Sequence, residues 1–283
     1  MNEAAATPKR RFGSTRAEVP VIGLGTWHLE LTDSKAAVAA IRAALELGLT
    51  HIDTAELYGS GKAESLVGQA IEGQRDRVFL VSKIIPSNAS RKGTITHCEQ
   101  SLKRLGADHL DCYLLHWPGP HPLEDTLAAF EELVKSGKIR SWGVSNFDED
   151  ELQRALAIAG PGKIACNQVL YHLGERGIEH AVIPWCEAND VAVVGYTPFG
   201  HHAGGESARV LARVAERHGA TARQVTLAFL TRRESLFAIP KSTKLDHLRE
   251  NAAAAHVRLS ESDLAELERA FPRGKRRRGV AMN

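Results

Sequence analysis

Long apolar runs are missing from this chain. No stretch of its 283 residues approaches the roughly 18–20 apolar residues of a membrane-spanning helix, so no contact with a bilayer is expected. Residues 1–11 lack an apolar segment behind their positive charges. The pair Arg10-Arg11 runs into Phe-Gly-Ser-Thr-Arg instead, so no export signal is read. Cysteine is scarce: Cys98, Cys112, Cys166 and Cys186 are the only four, and no two share a C-x-x-C spacing. That excludes the usual zinc and thiol-redox motifs and fits a reduced, cytoplasmic setting. The thirteen histidines include no H-E-x-x-H, and His201-His202 reads as part of a glycine-rich solvent loop, so no metal is expected. A dinucleotide-binding G-x-G-x-x-G is also absent. Gly23-Leu-Gly25-Thr-Trp-His28 lacks the third glycine and reads as a tight strand-to-loop turn, against a Rossmann domain.

A strong charge of one sign is lacking too. The net charge is +2, with +5 in residues 273–283, +2 in residues 1–11 and −5 between them. A mildly acidic body does not make a nucleic-acid surface. The two ends read as flexible basic segments of a single domain spanning residues 1–283. Hydrophobic residues at 43% and charged residues at 25% are ordinary for a globular chain, which excludes disorder.

What is present is alternation. Eight short, apolar, β-branched runs are read as strands: 21–27, 51–55, 78–83, 111–117, 139–146, 165–171, 191–199 and 237–242. Their nearly unbroken apolar character marks strands covered on both faces, as in parallel sheets. Helical runs lie between them, such as 35–47 after Asp33-Ser34 and before Gly48. Eight β–α units in about 250 residues predict an α/β fold, a closed (β/α)8 TIM barrel, better than an open sheet. Residues 12–21 are read as a hairpin plugging the barrel bottom.

In such a barrel the active site lies at the carboxyl ends of the strands. The residues there are Thr26, Trp27, Asp53, Lys83, His116, Trp117, Ser145, Asn146, Gln168, Tyr196, Thr197, Lys241 and Ser242, with Tyr58 just beyond the second strand. Four of them form a chemical set. A phenol is a poor acid at neutral pH unless its pKa falls. An ammonium at Lys83 is expected to lower that of Tyr58, with Asp53 compensating the buried lysine and His116 bonding a substrate carbonyl.

The segments His51-Ile-Asp-Thr-Ala-Glu-Leu-Tyr58-Gly, Val81-Ser-Lys83, Leu114-Leu-His-Trp-Pro118, Gly143-Val-Ser-Asn-Phe147, Asn167-Gln168 and Ile239-Pro-Lys-Ser242 resemble the aldo-keto reductase family over residues 20–271. The resemblance implies a metal-free NAD(P)H-dependent carbonyl reductase with Asp53, Tyr58, Lys83 and His116 as its catalytic tetrad. It further implies that Ser145, Asn146 and Gln168 hold the nicotinamide carboxamide and that Tyr196 stacks on its ring, with Thr26, Trp27 and Asp53 also at the cofactor. Lys241, Ser242 and Thr243 would face the adenosine 2′-phosphate, and Asn251 the adenine. Many NADPH-preferring relatives carry an arginine six residues after the lysine. Here that residue is His247, with Lys244 and Arg249 as substitutes, so NADP(H) is favoured over NAD(H).

Trp27, His116 and Trp117, with His28, Leu57, Pro86 and Phe199 nearby, predict an apolar, aromatic-rimmed substrate pocket. The short C-terminal tail predicts an open mouth. Relatives of this kind suggest a small aldehyde, an α-ketoaldehyde such as methylglyoxal, a diketo-sugar acid or an aromatic aldehyde, handled by a monomer. Two other readings remain: a Schiff-base aldolase using Lys83 or Lys241, and a cofactor-sensing subunit of a larger assembly.

Overall fold

The computed structural model describes residues 7–200 and 204–283. His201 and His202, read above as loop residues, lie outside them. A short antiparallel hairpin, β1 (Lys9–Arg11) and β2 (Glu18–Pro20), comes first. Eight parallel strands follow in strict neighbour order: β3 (Leu24–Gly25), β4 (His51–Asp53), β5 (Phe79–Ile84), β6 (Leu110–Leu115), β7 (Ile139–Ser145), β8 (Ile164–Leu170), β9 (Ala192–Tyr196) and β10 (Leu236–Ala238). The ring closes where Ile22 bridges Ala238: the Gly23 N–H donates to the Ala238 carbonyl at 2.8 Å, and the Gly25 N–H to that of Pro240 at 3.1 Å. The first and last of these strands are shorter than their apolar runs suggested, two and three residues long.

Helices cover the outer face: α1 (Ser34–Glu46), α2 (Lys62–Ile71), α3 (Arg91–Leu105), α4 (Leu123–Lys135), α5 (Glu149–Ala159), α6 (Val182–Ala188), α7 (Glu206–Arg217), α8 (Ala222–Leu230), α9 (Leu245–Ala254) and α10 (Glu261–Ala270). Their starts follow from local chemistry. Asp33 caps α1 by accepting from the Ala36 N–H, and reciprocal capping boxes open α5 (Asp148, Glu151), α8 (Thr221, Gln224) and α10 (Ser260, Asp263). α3 begins at Arg91, a turn earlier than its apolar pattern, because Ser90 accepts from the Gly93 N–H. None of the helices among the described residues is long and apolar enough to cross a membrane.

The hairpin does plug the barrel bottom, from Lys9 rather than residue 12. Phe12, wholly buried, meets the rings of His51, Phe79 and Phe237 at centroid distances of 5.7, 4.9 and 5.2 Å. Above it Val81, Leu114, Cys166 and Val194 fill the interior, while a larger apolar layer packs strands against helices. All four cysteines are buried.

Both basic ends lie against the body. Arg10 donates to the carbonyls of Thr231 and Arg233, and Arg11 pairs with Asp190. In the tail, Arg276 pairs with Glu149 and Arg277 with Glu175, and the Asn283 amide donates to Thr197 Oγ1 at 2.7 Å. The −5 body supplies carboxylates where the +5 tail passes.

Candidate active site

Asp53 ends β4, Lys83 lies near the end of β5 and His116 follows β6; Tyr58 sits on the loop after β4. Strand pairing brings them together. Lys83 Nζ, with no exposed surface, donates to Asp53 Oδ1 at 2.6 Å, to the Thr54 carbonyl at 2.8 Å and toward the Tyr58 hydroxyl at 3.1 Å. Three acceptors around one ammonium use all its donors. Gln168, on β8, donates to the other Asp53 oxygen at 2.7 Å. The Tyr58 and His116 rings meet edge-on at 5.8 Å.

The electrostatics differ from the sequence-based expectation for Tyr58. Burial raises its pKa, and Lys83 only pulls part of the way back while Asp53 pushes up again, so the phenol titrates above its usual range. The charge of Lys83 favours the phenolate, but the water removed by folding counts for more. For Lys83, burial works against the charge, but Asp53 and Tyr58 outweigh it and hold the pKa above the ordinary lysine value. A permanently protonated, thrice-bonded amine is a poor nucleophile, which speaks against a Schiff base at this position. Burial, helped by Lys83, pushes His116 down to about 2, so it is neutral and its buried Nδ1 has no hydrogen-bond partner. The arrangement therefore presents a protonated phenol beside a neutral imidazole.

Above this cluster opens a cavity of about 610 Å³. Thr26, Trp27, Asp53, Tyr58, His116, Trp117, Ser145, Asn146, Gln168, Tyr196 and Lys241 all line it. His28, Leu57 and Phe199 join them, whereas Pro86 does not. Ser242 and Thr243 lie outside that lining, just before α9, as does Asn251 within α9. A hydrogen-bond chain orders the wall: Tyr196 donates to Asn146 Oδ1 at 2.8 Å, Asn146 Nδ2 to the His116 carbonyl at 3.0 Å, and Ser145 to the Gln168 carbonyl at 2.8 Å. His28, Asn146 and Thr197 hold left-handed φ values of 60°, 61° and 52°, strain of the kind that gathers at functional sites.

The tail's part in the cavity was not foreseen. Met282 and Asn283 line the mouth, so the tail narrows a site that the sequence suggested was open. No local signal marks this, because the contacts that seat the tail join residues more than 80 positions apart. No cluster of three or more His, Cys, Asp or Glu side chains suited to a metal occurs among the described residues.

A closed parallel barrel gathers a buried Asp–Lys–Tyr cluster and a neutral histidine beneath one deep cavity, the architecture of a barrel enzyme. The chain belongs to the aldo/keto reductase family, whose profile matches residues 21–271, and it is an oxidoreductase of that family. It is 44% identical over 270 residues to methylglyoxal reductase YeaE of Escherichia coli K12, covering 93% of this chain and 95% of that protein. It is 33% identical to methylglyoxal reductase DkgB of Salmonella typhi, over 87% of this chain and 90% of the other. Among solved structures, an aldo-keto reductase from Klebsiella pneumoniae in complex with NADPH superposes with a TM-score of 0.91 at 44% identity, covering 98% of this chain and all of that one (100%).

Proposed function

We propose that this protein reduces a small α-ketoaldehyde or aldehyde of the methylglyoxal type with NADPH, using Tyr58 as the general acid. The observation that carries the reading is the single ammonium of Lys83 bonded to both Asp53 and Tyr58 under the cavity. NADPH is favoured by the Klebsiella relatives, described with NADPH and with NADP and acetate; the substrate class is favoured by the YeaE and DkgB names.

The residues present fit a dinucleotide. The amide of Asn251 is wholly buried and neither its nitrogen nor its oxygen has a partner, a costly state in a closed core that suits a heterocycle edge. Lys241 is exposed at the cavity wall and suits a phosphate. Ser145, Asn146 and Gln168 offer amide and hydroxyl groups for a carboxamide, and Tyr196 a flat face for a ring. Bound there, the cofactor supplies a hydride.

The chain's own residues do the rest. His116, neutral, donates a hydrogen bond to the substrate oxygen and fixes the carbonyl. Tyr58 gives that oxygen its proton as charge develops. Lys83 then stabilises the phenolate left behind, and Asp53, oriented by Gln168, keeps Lys83 charged. Trp27, Leu57, Trp117 and Met282 exclude water from the reacting carbon. The test is direct: purified protein with methylglyoxal should consume NADPH, and consume NADH more slowly, as read by the absorbance of the reduced nicotinamide. No turnover with any of a panel of small aldehydes would sink the proposal.

A further inference from the structure

The adenosine end of the site lacks the guanidinium that a phosphate dianion favours, since position 247 holds histidine. Arg249 does not replace it: its side chain is largely exposed and turned to Asp246 at 3.3 Å. A different arginine stands close by. Arg223, in the first turn of α8, packs against α9, where its Nε lies 3.5 Å from Glu250 Oε2. Glu250 is the neighbour of Asn251 and sits one helical turn beyond His247, so those side chains share a face of α9. The guanidinium carbon of Arg223 also lies 3.7 Å from the ring centroid of Phe199, which lines the main cavity.

Arg223 is not satisfied where it lies. Its Nε is buried without a hydrogen-bond partner. A guanidinium has five donors in a planar fork. Here the plane is stacked on Phe199, one edge faces the Glu250 carboxylate, and Nε makes no hydrogen bond. The wholly buried Asn251 amide beside Glu250 is also unpartnered. An unpartnered guanidinium nitrogen on α8 and an unpartnered amide on the neighbouring α9 indicate a ligand that is both anionic and heterocyclic.

Resting on the dinucleotide reading above, we infer that Arg223 is the specificity-determining cation for the adenosine 2′-phosphate, taking from α8 the part that position 247 of α9 does not fill. Its second effect is to neutralise Glu250. Without Arg223 that carboxylate would face the phosphate uncompensated and repel it.

The test uses binding rather than turnover. The full chain is titrated calorimetrically with adenosine 2′,5′-bisphosphate and with adenosine 5′-diphosphate, and by fluorescence with NADPH and NADH. Arg223→Ala should weaken the bisphosphate and NADPH by about 10- to 100-fold, the scale of a charge-assisted contact, and leave the other two within about 2-fold. Arg223→Lys should recover part of the loss, because it keeps the charge and loses the fork. Adding Glu250→Gln to Arg223→Ala should also recover part by removing the repulsion. Phe199→Leu, which removes the stacking partner but not the cation, should keep the preference for the 2′-phosphate. Equal losses for phosphorylated and unphosphorylated ligands would overturn the inference and make Arg223 a support for the Phe199 segment. Unchanged binding in Arg223→Ala, with a melting temperature matching the parent, would overturn it as well. If the parent chain binds NADH but not the bisphosphate, the inference fails and the reductase reading stands. If it binds neither dinucleotide, both fail.

Discussion

Gln168 donates to Asp53 Oδ2 at 2.7 Å across 115 residues of sequence, while Lys83 takes Oδ1 at 2.6 Å. Both oxygens of one buried carboxylate are thus fixed, from β8 and from β5. A charged pair without exposure is stable only when every partner is in place. Position and protonation of the cluster are therefore coupled, and the coupling is measurable.

Lys83→Met leaves Asp53 buried without its cation. Unfolding in urea should show a loss of about 3–5 kcal/mol, the range for breaking a buried pair from one side. Adding Asp53→Asn should return part of that stability, since the uncompensated charge is gone. A double variant no more stable than Lys83→Met would mean that the two residues are not coupled.

Tyr58→Phe keeps the ring over Lys83 but removes the proton. Turnover should fall by about 10²- to 10⁴-fold, the usual range for a general acid, while NADPH affinity stays near that of the parent. Because burial holds the Tyr58 pKa above its usual value, the acid form persists through neutral pH. The parent's reduction rate should decline only as pH rises past the ordinary tyrosine range near 10. A decline centred near neutrality would assign the proton to another group.

Two buried histidines should make the fold lose stability in acid. Burial lowers His51 from 6.5 to about 3 and His116 from 6.5 to about 2. At these two sites the unfolded chain therefore binds more protons than the native one below pH 6.5. Stability is full above that value and falls on acidification, by about 1.4 kcal/mol per pH unit for each histidine, until the native values are reached. His51→Leu should reduce the slope of unfolding free energy against pH between about 6 and 4 by that amount. An unchanged slope would mean that His51 is protonated or hydrated in the native state.

The tail is predicted to act as a selector at the mouth. Removing residues 279–283 takes Met282 and Asn283 from the cavity wall. KM for a small aldehyde should rise severalfold, bulky aromatic aldehydes should gain relative to it, and NADPH binding should stay within about 2-fold. Equal effects on small and bulky substrates would remove the tail from substrate selection.

The barrel and the convergence of Asp53, Tyr58, Lys83 and His116 at its mouth were legible in the chain because their signals are local. Nearly unbroken apolar runs such as Val191–Val194 mark buried parallel strands, and Asp33 and Ser260 mark helix starts. The rule that barrel sites lie at strand ends then picks out Asp53, Lys83, His116 and Gln168. What the chain did not reveal depends on distance in space. Arg276 meets Glu149 and Arg277 meets Glu175, so a tail that reads as solvated basic residues lies over the cavity. Arg223 meets Phe199 and Glu250 from another helix, which no spacing in the sequence announces. The Tyr58 pKa takes its direction from burial, a property of everything packed around it. Residue identity and order therefore determined which chemistry is present and on which element. Tertiary structure alone decided how much water that chemistry loses and which charges face it, because desolvation and Coulomb interactions depend on separation in space and not along the chain.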